Sequence, residues 1–251
     1  MNARQTSILS LLEKKNYCTY PELAKDFDVT EMTIRRDARA LAQAGKLQLK
    51  TGGILVNQVS ATDIRIHKNQ SIKEALAKQV LNHIEPGSTI FLDAGSTIFY
   101  CLLEIINVNN ITFITYDSHL SEAFSSDSNC QFYLTGGLFC SETGHYTGSF
   151  SERFLDSFEC DYALLSANSI SENGNLGCMH DHEIRLKQLM IQRSRKSILI
   201  AEDSKLSGKS RFTFEQLSSL DLLITEKRPS KSFSNNFIDS KLKWEALEEK
   251  E

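Results

Sequence analysis

The sequence predicts an α/β protein in two parts: a small helical head over residues 1–57, and a larger body over residues 72–251 built on a mostly parallel sheet, with a linker at 58–71. Three observations predict it. The first 56 residues hold three short helical patterns followed by an alternating run that turns on Thr51-Gly52-Gly53. Beyond residue 72, short continuously apolar runs alternate with helical patterns, as in strands covered on both faces. Between the two, Asn57 to Asn69 is polar and keeps no period.

The bulk composition fits this division. At 251 residues the chain has room for two modest domains. Hydrophobic residues at 41% and charged residues at 24% are ordinary for a globular protein, and no stretch nears the roughly 18 apolar residues of a membrane span. The opening MNARQTSILSLLEKKN is broken by Glu13, Lys14 and Lys15 and has no apolar signal core, so a cytosolic protein is expected. The six cysteines (Cys18, Cys101, Cys130, Cys140, Cys160 and Cys178) are scattered singly, several in apolar runs, and read as small hydrophobes in a reducing compartment. The net charge of −4 hides an asymmetry: nine Lys/Arg against six acids leave residues 1–56 at +3 and the remainder at −7. A basic head on an acidic body suits docking of one end on a polyanion.

In the head, Ile8, Leu11 and Leu12 mark a first helix from about Arg4 to Lys15. Thr19-Tyr20-Pro21-Glu22 is a capping box that opens a second helix burying Leu23, Ala24 and Phe27. After the Asp28-Val29 turn, Thr30 caps a third helix that runs to about Ala44 and stops at Gly45. At 100° per residue Ile34, Ala38 and Leu41 form its buried stripe. Arg35, Arg36, Arg39, Met32 and Gln43 lie opposite, with Thr33 on the flank, and Asp37 falls near the apolar edge where it pairs within the domain. The run LQLK-TGG-ILV then forms a two-stranded wing bearing Lys46 and Lys50. Guanidinium forks reach guanine edges or clamp phosphates, and wing lysines reach the backbone. Helices, caps, turn and wing together describe a winged helix-turn-helix, and its expected partner is double-stranded DNA. The DNA-contacting residues are expected to be Met32, Thr33, Arg35, Arg36, Arg39 and Lys50.

In the body, Ile72, Leu76 and Val80 share one face of a helix that ends before Glu85-Pro86-Gly87. Strands are expected at TIFLD (89–93), ITFITY (111–116), CQFYL (130–134), DYALL (161–165), SILIA (197–201) and DLLIT (221–225). Helical patterns fall between them, at IFYCLLEII, HLSEAF and HEIRLKQLMIQRS, and another helical stretch is expected before DLLIT. Ligands of such sheets bind beyond the carboxyl ends of the strands, which singles out Asp93-Ala94-Gly95-Ser96-Thr97. Gly95 admits a close ligand, and Ser96, Thr97 and the opening amides suit a phosphate; a capped strand-helix turn without a ligand accounts for the spacing equally well.

The stretch VTEMTIRRDARALAQAGKLQLKTGG resembles the DeoR-type regulators, with Thr33-Ile34-Arg35-Arg36-Asp37, Leu41, Gly45 and Gly52-Gly53 at the family's recognition-helix and wing positions. Ala38 stands where the family carries Leu. The likeness continues through Arg65, Lys73, Leu76 and Ala77; Leu92 to Thr97; Gly136-Gly137; Glu183, Lys187 and Met190-Ile191; and Asp203-Ser204-Lys205. It implies a repressor of a carbohydrate-utilisation operon that acts as a homodimer or homotetramer. Its C-terminal domain would resemble sugar-phosphate isomerases and bind a phosphorylated sugar through Lys73, Asp93, Gly95, Ser96, Thr97, Gly136, Gly137 and Lys205. Two places depart from the family. Thr115-Tyr116-Asp117-Ser118 replaces its "TNS" and puts an acid beside the expected anion, and Ser166-Ala167-Asn168-Ser169 replaces its "G-A-[DN]-G".

Other readings are weaker. The 93–97 loop also matches the phosphate loop of sugar kinases, but that loop joins two strands and needs two nucleotide-clasping lobes. Gly208-Lys209-Ser210 lacks the earlier glycine of a P-loop, where Asp203 stands. Cys178, His180, His182 and Glu183 cluster within six residues yet read as incidental, so no metal and no cofactor are expected. An isomerase-like enzyme would need a positioned acid and base, for which Asp93, Asp117 and Glu183 are candidates without assignable roles. The DNA-binding head favours a sensor, and no catalytic residue is expected.

Overall fold

The computed structural model describes residues 2–15, 17–44, 46–56, 66, 68–124, 129–228, 230, 233–234, 237 and 240–247, without the side chains of 3, 13, 14 and 56. The chain divides into two compact units, Met1–Lys68 and Asn69–Glu251. The expected helix stop at Gly45, the family-matched Arg65 and most of the expected linker lie outside the described residues.

The first unit follows the sequence closely. Helix α1 spans Ala3–Lys15, strand β1 Tyr17–Thr19, α2 Tyr20–Asp26, α3 Glu31–Gln43, β2 Leu47–Lys50 and β3 Gly53–Val56. Both halves of the Thr19–Glu22 capping box form, and the Thr30 hydroxyl accepts the Thr33 amide at 3.3 Å. Ile34, Ala38 and Leu41 are buried against Ile8, Leu12, Leu23 and Ile54. Asp37 is buried and accepts hydrogen bonds from Arg4 Nε at 2.6 Å and Gln5 Nε2 at 3.2 Å, a pairing with α1 that keeps it off the outer face. The sequence reading has no counterpart for β1. It pairs with β3 and makes the wing a three-stranded sheet, which fixes the hairpin to the helices. Gly53 permits this, because a Cβ there would sit 2.4 Å from the Cys18 carbonyl.

The second unit begins with α4 at Gln70–Leu81. Then come β4 (Thr89–Leu92), α5 (Ser96–Ile105), β5 (Thr112–Thr115), α6 (Ser118–Ala123), β6 (Gln131–Leu134), and a hairpin of β7 (Leu138–Cys140) and β8 (His145–Thr147). Helix α7 (Ser149–Asp156), β9 (Cys160–Leu165), β10 (Ser169–Ile170), β11 (Asn175–Cys178), α8 (His182–Gln192) and β12 (Ser194–Ile200) follow, and β13 (Phe212–Gln216), β14 (Leu222–Thr225) and β15 (Lys243–Ala246) close the unit. Seven strands form one sheet in the order β15-β14-β12-β9-β4-β5-β6, and every pairing in it is parallel. Ile90, Phe91, Leu92, Leu164, Leu165, Ile198, Leu199, Leu223 and Ile224 are all buried, as central strands covered on both faces require. Each such side chain contributes about 1.5–3 kcal/mol by leaving water. Burial pushes the thiols of Cys101 and Cys160 up to about 12, so they behave as inert packing groups.

One expectation fails. The stretch before DLLIT, expected to be helical, is strand β13 with a short 3₁₀ turn on each side. FTFEQ alternates, with Phe214 buried and the strand paired to β11, and that two-residue period outweighs the polar helix formers around it. Among the described residues no helix is long and apolar enough to cross a membrane.

Candidate functional site

The outer face of α3 carries the expected cations, and they differ from one another. Met32 is 74% exposed, Arg36 and Arg39 are exposed without an ion-pair partner among the described residues, and Thr33 is half-buried. Arg35 lies with its guanidinium 4.0 Å from the centroid of the Tyr20 ring and 3.4 Å from Glu31, so α2 orients it. Lys46, just before wing strand β2, and Lys50, at its end by the hairpin turn, are both exposed, and Gly52, at a φ of 88°, makes the tight turn beyond Lys50.

In the second unit, parallel strands put their carboxyl ends on one edge. With neighbours about 4.8 Å apart, the residues following β12, β9, β4, β5 and β6 form a line roughly 20 Å long. It runs from Glu202 and Lys205 through Ser166, Asp93 and Gly95, then Tyr116 and Asp117, to Gly136 and Gly137. The chain leaves β4 toward β5 and leaves β9 toward β12, so the switch point of the sheet falls between Asp93 and Ser166.

At that point a charge is buried. The Asp93 carboxylate is fully enclosed and accepts hydrogen bonds from Tyr116 Oη at 2.5 Å, from Ser166 N and Oγ at 2.7 and 3.0 Å, and from Lys187 Nζ at 2.5 Å. Lys187, from α8, also donates to the Ser166 carbonyl at 3.2 Å. Burial alone would lower the Lys187 pKa, but the carboxylates of Asp93 and Glu183 outweigh it and raise the value. Burial and the Asp93 charge push the Tyr116 phenol well above its ordinary value, so it remains a donor. Sequence reasoning left Tyr116, Ser166 and Lys187 out of the site, although Tyr116 and Ser166 sit in the two departures from the family pattern.

Helix α5 opens at the same place. Gly95, at φ 119° and ψ 165°, precedes it, no side chain caps its first amides, and a Cβ on Gly95 would meet Ser166 Oγ at 3.4 Å. Ser96 is half-buried and Thr97 buried. The Asp117 carboxylate is buried and engaged: it accepts the Gly95 amide at 3.3 Å, and the His119 amide and Nδ1 at 3.0 and 2.8 Å. The departure from the family therefore serves as the N-cap of α6.

The remaining expected residues are spread along the edge. Lys73 is 2% exposed and lies 3.8 Å from Glu202, whose other oxygen accepts from Asn69 Nδ2 at 2.7 Å. Lys205 is half-buried, and its amide donates to the Glu202 carbonyl at 2.9 Å. Gly136 accepts the Ser151 hydroxyl through its carbonyl at 2.5 Å. Gly137, at φ 124°, packs so tightly that a Cβ would lie 2.6 Å from both Ser151 Oγ and the Thr147 carbonyl. Of the cluster weighed for metal in the sequence, Cys178 is buried with its thiol donating to the His180 carbonyl, while His182 and Glu183 come together with His145. Burial pushes the His145 imidazole down to about 4, which keeps it neutral.

Comparison with known proteins gives a consistent picture. The family model described as the DeoR-like helix-turn-helix domain matches residues 4–59, and that of the DeoR C terminal sensor domain matches residues 68–227. An uncharacterized HTH-type transcriptional regulator of Haemophilus influenzae is 32% identical over 230 residues, covering 89% of each chain. HTH-type transcriptional regulator GolR of Listeria innocua is 28% identical over 243 residues, 95% of this chain and 96% of its own. The glycerol-3-phosphate regulon repressor of Escherichia coli is 26% identical over 246 residues, 96% and 97% of the two chains. Among solved structures, a ribose 5-phosphate isomerase A from Methanocaldococcus jannaschii covers 55% of each chain at 16% identity, with a TM-score of 0.40.

Proposed function

This chain belongs to the DeoR family of helix-turn-helix transcription regulators, and we propose that it represses a carbohydrate-utilisation operon from which a phosphorylated sugar releases it. The observation that carries the effector half is the uncapped start of α5 at the sheet's switch point, where Ser96 and Thr97 stand beside free helix amides. A relative named for the glycerol-3-phosphate regulon supports a small phosphorylated ligand. In this reading Gly95, Ser96 and Thr97 hold the phosphate, while Gly136, Gly137 and Lys205 bound the pocket along the edge. Asp93 and Lys73, both buried and paired, set its shape.

The head binds duplex DNA through α3. Arg36 and Arg39, with Met32 and Thr33, face the base edges, Arg35 is presented by Tyr20, and Lys50 and Lys46 meet the phosphates. We assign residues 1–57 to this role and those from 72 onward to sensing and self-association. Edge strand β6, the hairpin that follows it and the start of α7 support self-association, because Tyr133, Leu138, Phe139 and Phe150 are exposed there. In this reading the protein acts as a sensor and performs no catalysis, with Asp93 and Asp117 held in place by several hydrogen bonds each. It works in the cytoplasm, where its DNA is.

A ligand selective for the folded state raises the melting temperature by mass action. Phosphorylated hexoses, pentoses or hexosamines should therefore shift the melting curve of the full chain where their free sugars do not. Ser96→Asp should remove the shift with the fold intact, since an acid is tolerated at a helix start but expels a phosphate. A shift produced only by free sugars or nucleosides would overturn this reading.

A further inference from the structure

Beside the Asp93–Lys187 pair lies a second polar cluster. His145 opens β8, is 5% exposed, and sets its ring edge-on to Tyr116 with centroids 5.2 Å apart. His182 and Glu183 open α8. One donor atom from each of the three lies within 4.8 Å of the others, and His145 Nδ1 is 3.5 Å from Glu183 Oε1. His145 Nδ1 and His182 Nε2 are both buried and have no hydrogen-bond partner among the described residues. A buried ring nitrogen left unpaired is costly, and two of them converging on one carboxylate call for a shared partner.

We propose that His145 Nδ1, His182 Nε2 and the Glu183 carboxylate bind a divalent transition-metal ion of the zinc class. Zinc bound by two imidazoles and a carboxylate takes bonds of about 2.0–2.2 Å, so neighbouring donors of a tetrahedron stand about 3.4 Å apart. The His145–Glu183 separation already meets that edge, and His182, in the first turn of α8 with a quarter of its side chain exposed, closes the others by a small rotation. Cys178 is excluded because its thiol donates to a carbonyl. Three protein donors leave a fourth position for water or an oxygen of a bound molecule. His145 is 37 residues from His182, so the set exists only once β8 packs against α8.

The test uses the full chain with any purification tag removed, stripped by chelator and dialysed against Zn²⁺. The expected result is one zinc per chain by atomic emission. Retention should fall at least tenfold in His145→Ala and in His182→Ala, and persist in His180→Ala and Cys178→Ser. Circular dichroism checks that each variant is folded. Co²⁺ loaded into the unaltered chain needs no variant and should give tetrahedral ligand-field bands without thiolate charge transfer. No zinc retained by the unaltered chain, retention unchanged in both folded histidine variants, or a cobalt–thiolate band would each overturn the proposal.

Discussion

The two units treat charge in opposite ways. On α3 the arginines Arg36 and Arg39 are exposed without ion-pair partners among the described residues, whereas at the sheet edge Asp93, Lys187, Lys73 and Asp117 are buried and engaged by named donors and acceptors. An exposed cation costs nothing while it waits, and its solvation is given up only when a phosphate or base edge replaces it. A buried carboxylate cannot wait, because an uncompensated charge in the interior costs several kcal/mol. The head therefore leaves its charges open to solvent, while the body uses its charges to fix the geometry of the sheet edge.

The contrast breaks most visibly if Lys187 is dispensable. Lys187→Met leaves Asp93 buried without its cation and should cost about 3–5 kcal/mol of the second unit's stability in denaturant unfolding. Adding Asp93→Asn should recover part of the loss, because the pair is coupled. A single-variant cost under about 1 kcal/mol would mean that water reaches the pair.

Arg36→Ala and Arg39→Ala should leave melting unchanged and each cost about 1–3 kcal/mol of affinity for a duplex selected by the unaltered chain. Gel shift at fixed salt checks this, and Lys50→Ala should lower the salt slope by about one instead. Unchanged affinity in both arginine variants would remove α3 from the interface.

Asp221 strikes the same balance at a half-exposed position. Burial alone would raise its carboxyl, but the Lys241 ammonium and the Ser197 amide and hydroxyl outweigh it and hold the value below 3.8. A carboxyl lowered by folding contributes stability above its unfolded pKa and loses it as pH falls through the folded one. Asp221→Asn should thus cost about 1 kcal/mol near neutral pH, and the two melting curves should converge in strong acid. Glu31→Gln, at the exposed pair with Arg35, should change stability by only about 0.3–0.5 kcal/mol.

The same difference decides what was legible. In the head the caps and the buried stripe of α3 lie within a few positions of their own sequence, so Thr19, Glu22, Thr30 and the Ile34–Ala38–Leu41 stripe could be read directly. Strand β1 escaped because three residues leave no period. In the body the apolar runs gave the strands of the sheet up to Leu222–Thr225, and Asp93 to Thr97 followed from the strand-end rule. Its partners could not follow: Ser166 is 73 residues from Asp93 and Lys187 is 94, and only the β4–β9 register and the packing of α8 bring them together. Asp117 read as an acid facing an anion because composition shows charge and not its hydrogen bonds. His145 offered no signal at all beside the His180–Glu183 cluster.

If phosphate bound at the start of α5 weakens DNA binding by α3, the two sites share a coupling free energy that one titration measures. The affinity of the full chain for its selected duplex is measured at fixed salt with and without each sugar phosphate and its free sugar. At least one phosphorylated sugar should weaken binding about tenfold, corresponding to about 1.4 kcal/mol of coupling between the sites. The same compound should have no effect on Ser96→Asp. Release by free sugars alone, or equal release of the unaltered chain and Ser96→Asp, would contradict the account.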